Sequence, residues 1–159
     1  VVTPEEVDDT AVCVDVCGSR CCSGGAFLRP ADEASLQDAG VDDPGAESRP
    51  MTRTGEDGDC VHLGEDGRCA VYDDRPLDCR LFPLGFRLDD ETRQVEVTLA
   101  ACPLAETIPD RAAADLIRRA RRLLGEFDEP TLRAYDGLPF TTDVTTIETI
   151  PYDETPIDL

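Results

Sequence analysis

The chain has 159 residues, which suits a single domain, and a formal net charge of -20 from 35 acidic and 15 basic residues. That charge argues against binding the nucleic-acid backbone, and no run reaches the ~18 apolar residues of a membrane span. The basic side chains are all arginine, Asp outnumbers Glu by 22 to 13, and the composition is that of a protein adapted to high salt, where screening removes self-repulsion.

In chain order, residues 1–12 read as an acidic leader with no hydrophobic targeting run, so the expectation is a cytoplasmic protein with reduced thiols. Residues 13–25 hold a cluster of cysteines and leave through Ser23-Gly24-Gly25. Pro30 to Ala39 is expected to be a short helix, with Asp32 and Glu33 in its first turn and Gly40 as its stop. The Gly-, Pro- and charge-rich stretch 40–59 reads as a surface loop. Cys60–Leu63 and Arg68–Tyr72 flank Gly64-Glu65-Asp66-Gly67 as a hairpin, and Leu84–Leu88 with Gln94–Leu99 form a second one. Val95, Val97 and Leu99 alternate with polar residues as in a half-buried strand.

From Arg111 to Phe127 the apolar positions recur at helical spacing, with Asp110 placed to cap the helix. Residues 128–159 read as an acidic extension that wraps the surface or is partly mobile. No internal repeat stands out. The domain between them, residues 13–127, is expected to be α+β: small, irregular and metal-centred, with short β-hairpins and an amphipathic C-terminal helix.

The eight cysteines, Cys13, Cys17, Cys21, Cys22, Cys60, Cys69, Cys79 and Cys102, carry the functional signal. Disulfides are the simplest alternative, but nothing in the sequence signals export, and Cys21–Cys22 would close a strained ring. Metal ligation explains the arrangement better. A tight loop can aim Cys17, Cys21 and Cys22 at one centre, Cys60 and Cys69 bracket a turn, Cys79 follows an Arg-Pro turn, and Cys102 precedes Pro103 after a strand. Neighbouring Cys21 and Cys22 should diverge, so they serve two centres, or one ligates while the other supports it. Neither zinc-ribbon nor ferredoxin spacing is present, so spacing says "metal" without saying which.

These residues resemble the YkgJ-type cysteine-cluster family (CxxCxxCC proteins), described as zinc- or iron-chelating domains. The likeness rests on Cys17-Gly18…Cys21-Cys22, on Cys60…Gly67-Arg68-Cys69…Tyr72…Arg75-Pro76…Cys79-Arg80…Phe82-Pro83, and on Cys102-Pro103. It covers about residues 13–104. The family's first motif is C-x2-C-x2-C-C where this chain has C-x3-C-x3-C-C, which leaves Cys13 with the least defined role. The resemblance implies a metal centre, an iron–sulfur cluster of the [4Fe–4S] type with zinc as the alternative, and it implies no settled reaction.

Among the remaining residues, Arg75 and Arg80 flank Cys79 and can offset the charge of a multi-thiolate centre, or form ordinary ion pairs. His62 can share a face with Cys60, but reads first as a surface or supporting histidine. Five arginines on the Arg111–Phe127 helix, Arg111, Arg118, Arg119, Arg121 and Arg122, read as a solvated face. No phosphate loop, H-E-x-x-H or dinucleotide motif occurs. The function expected is electron transfer, redox sensing or structural support, with a non-catalytic zinc interaction module as the alternative. An accessory role in a redox or methyl-transfer reaction, with an unknown protein partner, stays open.

Overall fold

A division near residue 80 separates the half of the chain that holds most of the cysteines from one that holds Cys102 alone. The computed structural model describes residues 14–15, 18–46, 49–106, 108, 112–136 and 143–151. They fall into two units, Asp8–Arg80 and Leu81–Leu159, where the sequence suggests one domain. Helices and antiparallel strands together make the protein α+β.

The first unit contains little regular structure. Helix α1 (Pro30–Asp38) starts with Pro at its first position, and Asp32 reaches back to accept the Arg29 N–H at 3.0 Å. It ends at Gly40, whose φ of +91° suits the residue after a helix. The stretch read as a surface loop instead contains a small antiparallel pair, β1 (Gly45–Ala46) and β2 (Arg49–Thr52), and it buries Thr52. Around 60–72 the expected strands shrink to a single bridge, Leu63 to Cys69. One turn of 3-10 helix covers Arg20–Cys22, another covers Tyr72–Asp74, and helix α2 (Leu77–Leu81) carries Cys79.

In the second unit, β3 (Leu84–Asp89) and β4 (Gln94–Ala100) form the expected hairpin in unbroken register from Leu84 opposite Leu99 to Asp89 opposite Gln94. Strand β4 is the middle of the sheet, because β5 (Val144–Pro151) pairs on its other edge, with one extra residue opposite Val97–Thr98. Thr98 and Ala100 are therefore buried along with Val95 and Val97 on the opposite face, rather than β4 being half-exposed.

A four-residue helix, α3 (Pro103–Glu106), follows the sheet hairpin. Helix α4 (Ala113–Leu124) buries Leu116, Ala120, Leu123 and Leu124; Asp110, read as its cap, lies outside the described residues. The acidic stretch after residue 128 supplies α5 (Glu129–Asp136) as well as β5. Asp128 caps α5 by accepting the Thr131 N–H at 2.8 Å, and Asp136 accepts the Leu88 N–H of β3 at 2.7 Å. Phe127 stacks edge-on against Phe86 at 5.7 Å and tilts against Tyr135 at 5.4 Å. Among the described residues, no helix is long and apolar enough to cross a membrane.

Candidate metal centre

Two of the thiols are delivered by the same local device used twice. Thr54-Gly55-Glu56-Asp57-Gly58-Asp59-Cys60 and Leu63-Gly64-Glu65-Asp66-Gly67-Arg68-Cys69 share the pattern G-E-D-G-x-C at a spacing of nine, a repeat the linear reading misses. In each, the N–H of the first glycine donates to the carbonyl four residues on, and the N–H of the second glycine donates back to the first at 3.0 Å. The aspartate between them accepts the N–H two residues later, at 3.1 Å for Asp57 and 3.0 Å for Asp66. Gly58 and Gly67 have φ of +85° and +78°, which the turn requires and glycine supplies without strain. Both loops close on a bridge that includes the cysteine, Thr54 to Cys60 and Leu63 to Cys69.

Cys21 and Cys22 come from the 3-10 turn, and Cys79 from α2. Thiols from these separate segments lie close enough that the others disfavour the ionisation of Cys79 and of Cys69. Burial pushes the Cys79 thiol well up, and Asp78, Cys60, Cys69 and Cys21 add to it. Burial raises Cys69, with Cys60 and Cys21 adding repulsion, while a hydrogen bond from the Val71 backbone and the Arg75 charge work against the rise. Cys21 is raised too, by its neighbour Cys22 first and by burial next. None of the six described cysteines, Cys21, Cys22, Cys60, Cys69, Cys79 and Cys102, is in a disulfide.

Three buried polar side chains fasten these segments together. Ser19, held at a φ of +56°, donates to the Gly67 carbonyl at 2.6 Å and ties the 3-10 turn to the Cys69 loop. Thr52 Oγ1 accepts the Ala26 N–H at 2.8 Å and lies 3.5 Å from Cys60 Sγ. Asp32 takes the Arg29 guanidinium on both oxygens and accepts the Leu77 N–H at 3.1 Å, at the start of the helix that carries Cys79. Asp78, next to Cys79, accepts the Phe27 N–H at 2.8 Å. A buried donor or acceptor left unmade costs about 1–3 kcal/mol, so these contacts fix the loops in place. Sequence reasoning names only Asp32 of these four residues, as part of the first turn of its helix.

Cys13 and Cys17 lie outside the described residues. Cys102 belongs to the second unit, where its Sγ accepts the Ala105 N–H at 3.4 Å at the start of α3. Arg75 stacks 3.7 Å over the Tyr72 ring and donates to its carbonyl at 2.8 Å, and its charge favours the Cys69 thiolate. Arg80 is half-buried on α2. His62 is only half-buried, yet its Nε2 is fully enclosed with no hydrogen-bond partner among the described residues, and desolvation lowers its pKa.

The thiols are neighbours and not a closed coordination sphere: among the described residues no three His, Cys, Asp or Glu side chains converge on one point. The donor set nonetheless fits a metal. Sulfur ligands select zinc and iron–sulfur centres, and a cation reverses the repulsion that keeps crowded thiols protonated. Residues 12–103 match the family model CxxCxxCC, whose description is "Putative zinc- or iron-chelating domain". Comparison with curated proteins and with solved structures yields no match.

Proposed function

Since this chain belongs to the CxxCxxCC family, we propose that its cysteine-rich unit holds a [4Fe–4S] cluster on Cys21, Cys60, Cys69 and Cys79. The role is electron transfer, redox sensing or structural support of a partner protein. The observation that carries this reading is that Cys21, Cys60 and Cys69, drawn from separate segments, all act on the buried Cys79 thiol, and the four together are the number such a cluster takes. When bound, the cluster supplies reversible one-electron chemistry. Cys22 supports Cys21 as its immediate neighbour, and Arg75 offsets thiolate charge beside Cys69. Cys13 and Cys17 are further candidates, and Arg80 is a second basic group beside Cys79.

Zinc is the second reading, and His62 is the specific observation that favours it. An enclosed imidazole nitrogen with no partner among the described residues, two residues from Cys60, suits the mixed sulfur–nitrogen sets of structural zinc. On that reading the protein is a non-catalytic interaction module whose metal contributes directly to folding. Elemental analysis of protein purified without oxygen separates the two. Iron and acid-labile sulfide in equal amounts on a brown protein support the cluster; zinc without iron on a colourless protein removes it.

A further inference from the structure

We infer that Thr52 is a positioning residue for the metal centre, donating its hydroxyl proton to the Cys60 sulfur once that sulfur is a ligand. Thr52 is 2 % exposed and sits at the end of β2, eight residues before Cys60. Two bonds to Ala26 hold it: its N–H donates to the Ala26 carbonyl at 2.8 Å, and its Oγ1 accepts the Ala26 N–H at 2.8 Å. Gly25 makes room for the hydroxyl, because a Cβ there would sit 2.7 Å from Oγ1, and its φ of +80° also suits glycine.

A hydroxyl has one proton to give and two lone pairs to receive with. Ala26 occupies one lone pair, and the Cys60 thiol, 3.5 Å away, can use the other. Metal binding removes the thiol proton, after which the sulfur can only accept. The proton of Thr52 then turns to it, with no movement of the backbone and no new partner. Groups that hydrogen-bond to a ligating sulfur orient it, strengthen metal binding and tune the electronics of the centre.

This inference rests on the metal reading, and its test separates the two. Thr52→Ser keeps the hydroxyl and loses a methyl; Thr52→Ala loses both. Wild type and the two variants are titrated with Co(II) without oxygen, following affinity and the position of the sulfur-to-cobalt charge-transfer band, with the melting temperature of each apo form measured alongside. Thr52→Ala is expected to bind Co(II) at least ~10-fold more weakly and to shift the band, with Thr52→Ser close to wild type. If Thr52→Ala does not fold, Thr52→Val replaces it. A lowered apo melting temperature with band and affinity unchanged would mean a purely structural role and overturn the inference. A wild-type chain that shows no charge-transfer band with Co(II) and carries neither iron with sulfide nor zinc when purified without oxygen overturns the metal reading itself, and this inference with it.

Discussion

The two units solve the folding problem with different materials. Of the buried apolar residues among those described, five (Ala26, Phe27, Leu28, Leu36 and Leu77) fall in Asp8–Arg80, and fourteen fall in Leu81–Leu159. The buried polar residues divide the other way: Ser19, Asp32 and Thr52 in the first, Thr98 in the second. The second unit is a sheet with helices, held by apolar side chains. The first is a set of turns joined by buried hydrogen bonds around thiols, with too little apolar burial to offset the entropy of ordering its loops. The difference teaches that the cysteine-rich unit needs a staple the sheet unit does not, which is the role of metal in small irregular domains.

The contrast breaks first at the thiols. Cys60→Ser or Cys79→Ser is expected to reduce metal to a trace per chain and to unfold the first unit, while the sheet's circular dichroism signature persists. Elemental analysis and spectra of the purified variants check it. Phe127→Ala should do the reverse, costing about 3–5 kcal/mol of sheet-unit stability through the cavity it leaves beside Phe86 and Tyr135. Metal content should be unchanged, and retention of metal through the lowered melting transition would show that the units are stabilised separately.

Asp32→Ala sharpens the comparison inside the first unit. It removes the two-oxygen partner of a largely buried Arg29 and the acceptor of a buried Leu77 N–H, so it should cost about 3 kcal/mol and loosen Cys79. Denaturant melts of the metal-loaded form measure that loss. If Asp32→Ala melts like wild type, the buried polar contacts do not fasten the thiol segments.

The smallest effect expected is at Asp128, the cap of α5. Its carboxylate is held below the ordinary aspartate range by its bonds to Thr131. A group depressed in this way adds stability at pH above its unfolded value of 3.8, and that contribution disappears as pH falls through the folded value. Asp128→Ala should therefore lower the sheet unit's melting temperature at neutral pH and leave it unchanged well below pH 3. An equal effect at both would remove the charge from the explanation.

How far the sequence reaches depends on the range of the contacts. Helix α1 and the β3–β4 hairpin are legible because Pro30, the alternation of Val95 and Val97, and the intervening turn act locally. The thiols are legible as metal ligands by their number and clustering. Their fastenings are not: Thr52 to Ala26 spans 26 residues, Asp32 to Leu77 spans 45, Ser19 to Gly67 spans 48, and Asp78 to Phe27 spans 51. No pattern in Ser, Thr or Asp announces a partner so far along the chain. Strand β5 hides for a different reason. Ile150 is its buried residue, so VTTIETIP reads as an acidic, threonine-rich extension and not as the edge of a sheet. The doubled G-E-D-G-x-C was within reach, since its spacing of nine is visible in the letters alone.

Hydrogen exchange on the metal-loaded chain, before and after removal of the metal by a chelator without oxygen, tests the central claim most directly. Amides of the first unit, among them Cys60, Gly64, Gly67 and Ala70 in the two thiol loops, are expected to lose their protection on chelation, while those of β3, β4 and β5 keep theirs. Equal protection in the thiol loops with and without metal would contradict the account, because those loops would then hold their shape without the centre they are proposed to build.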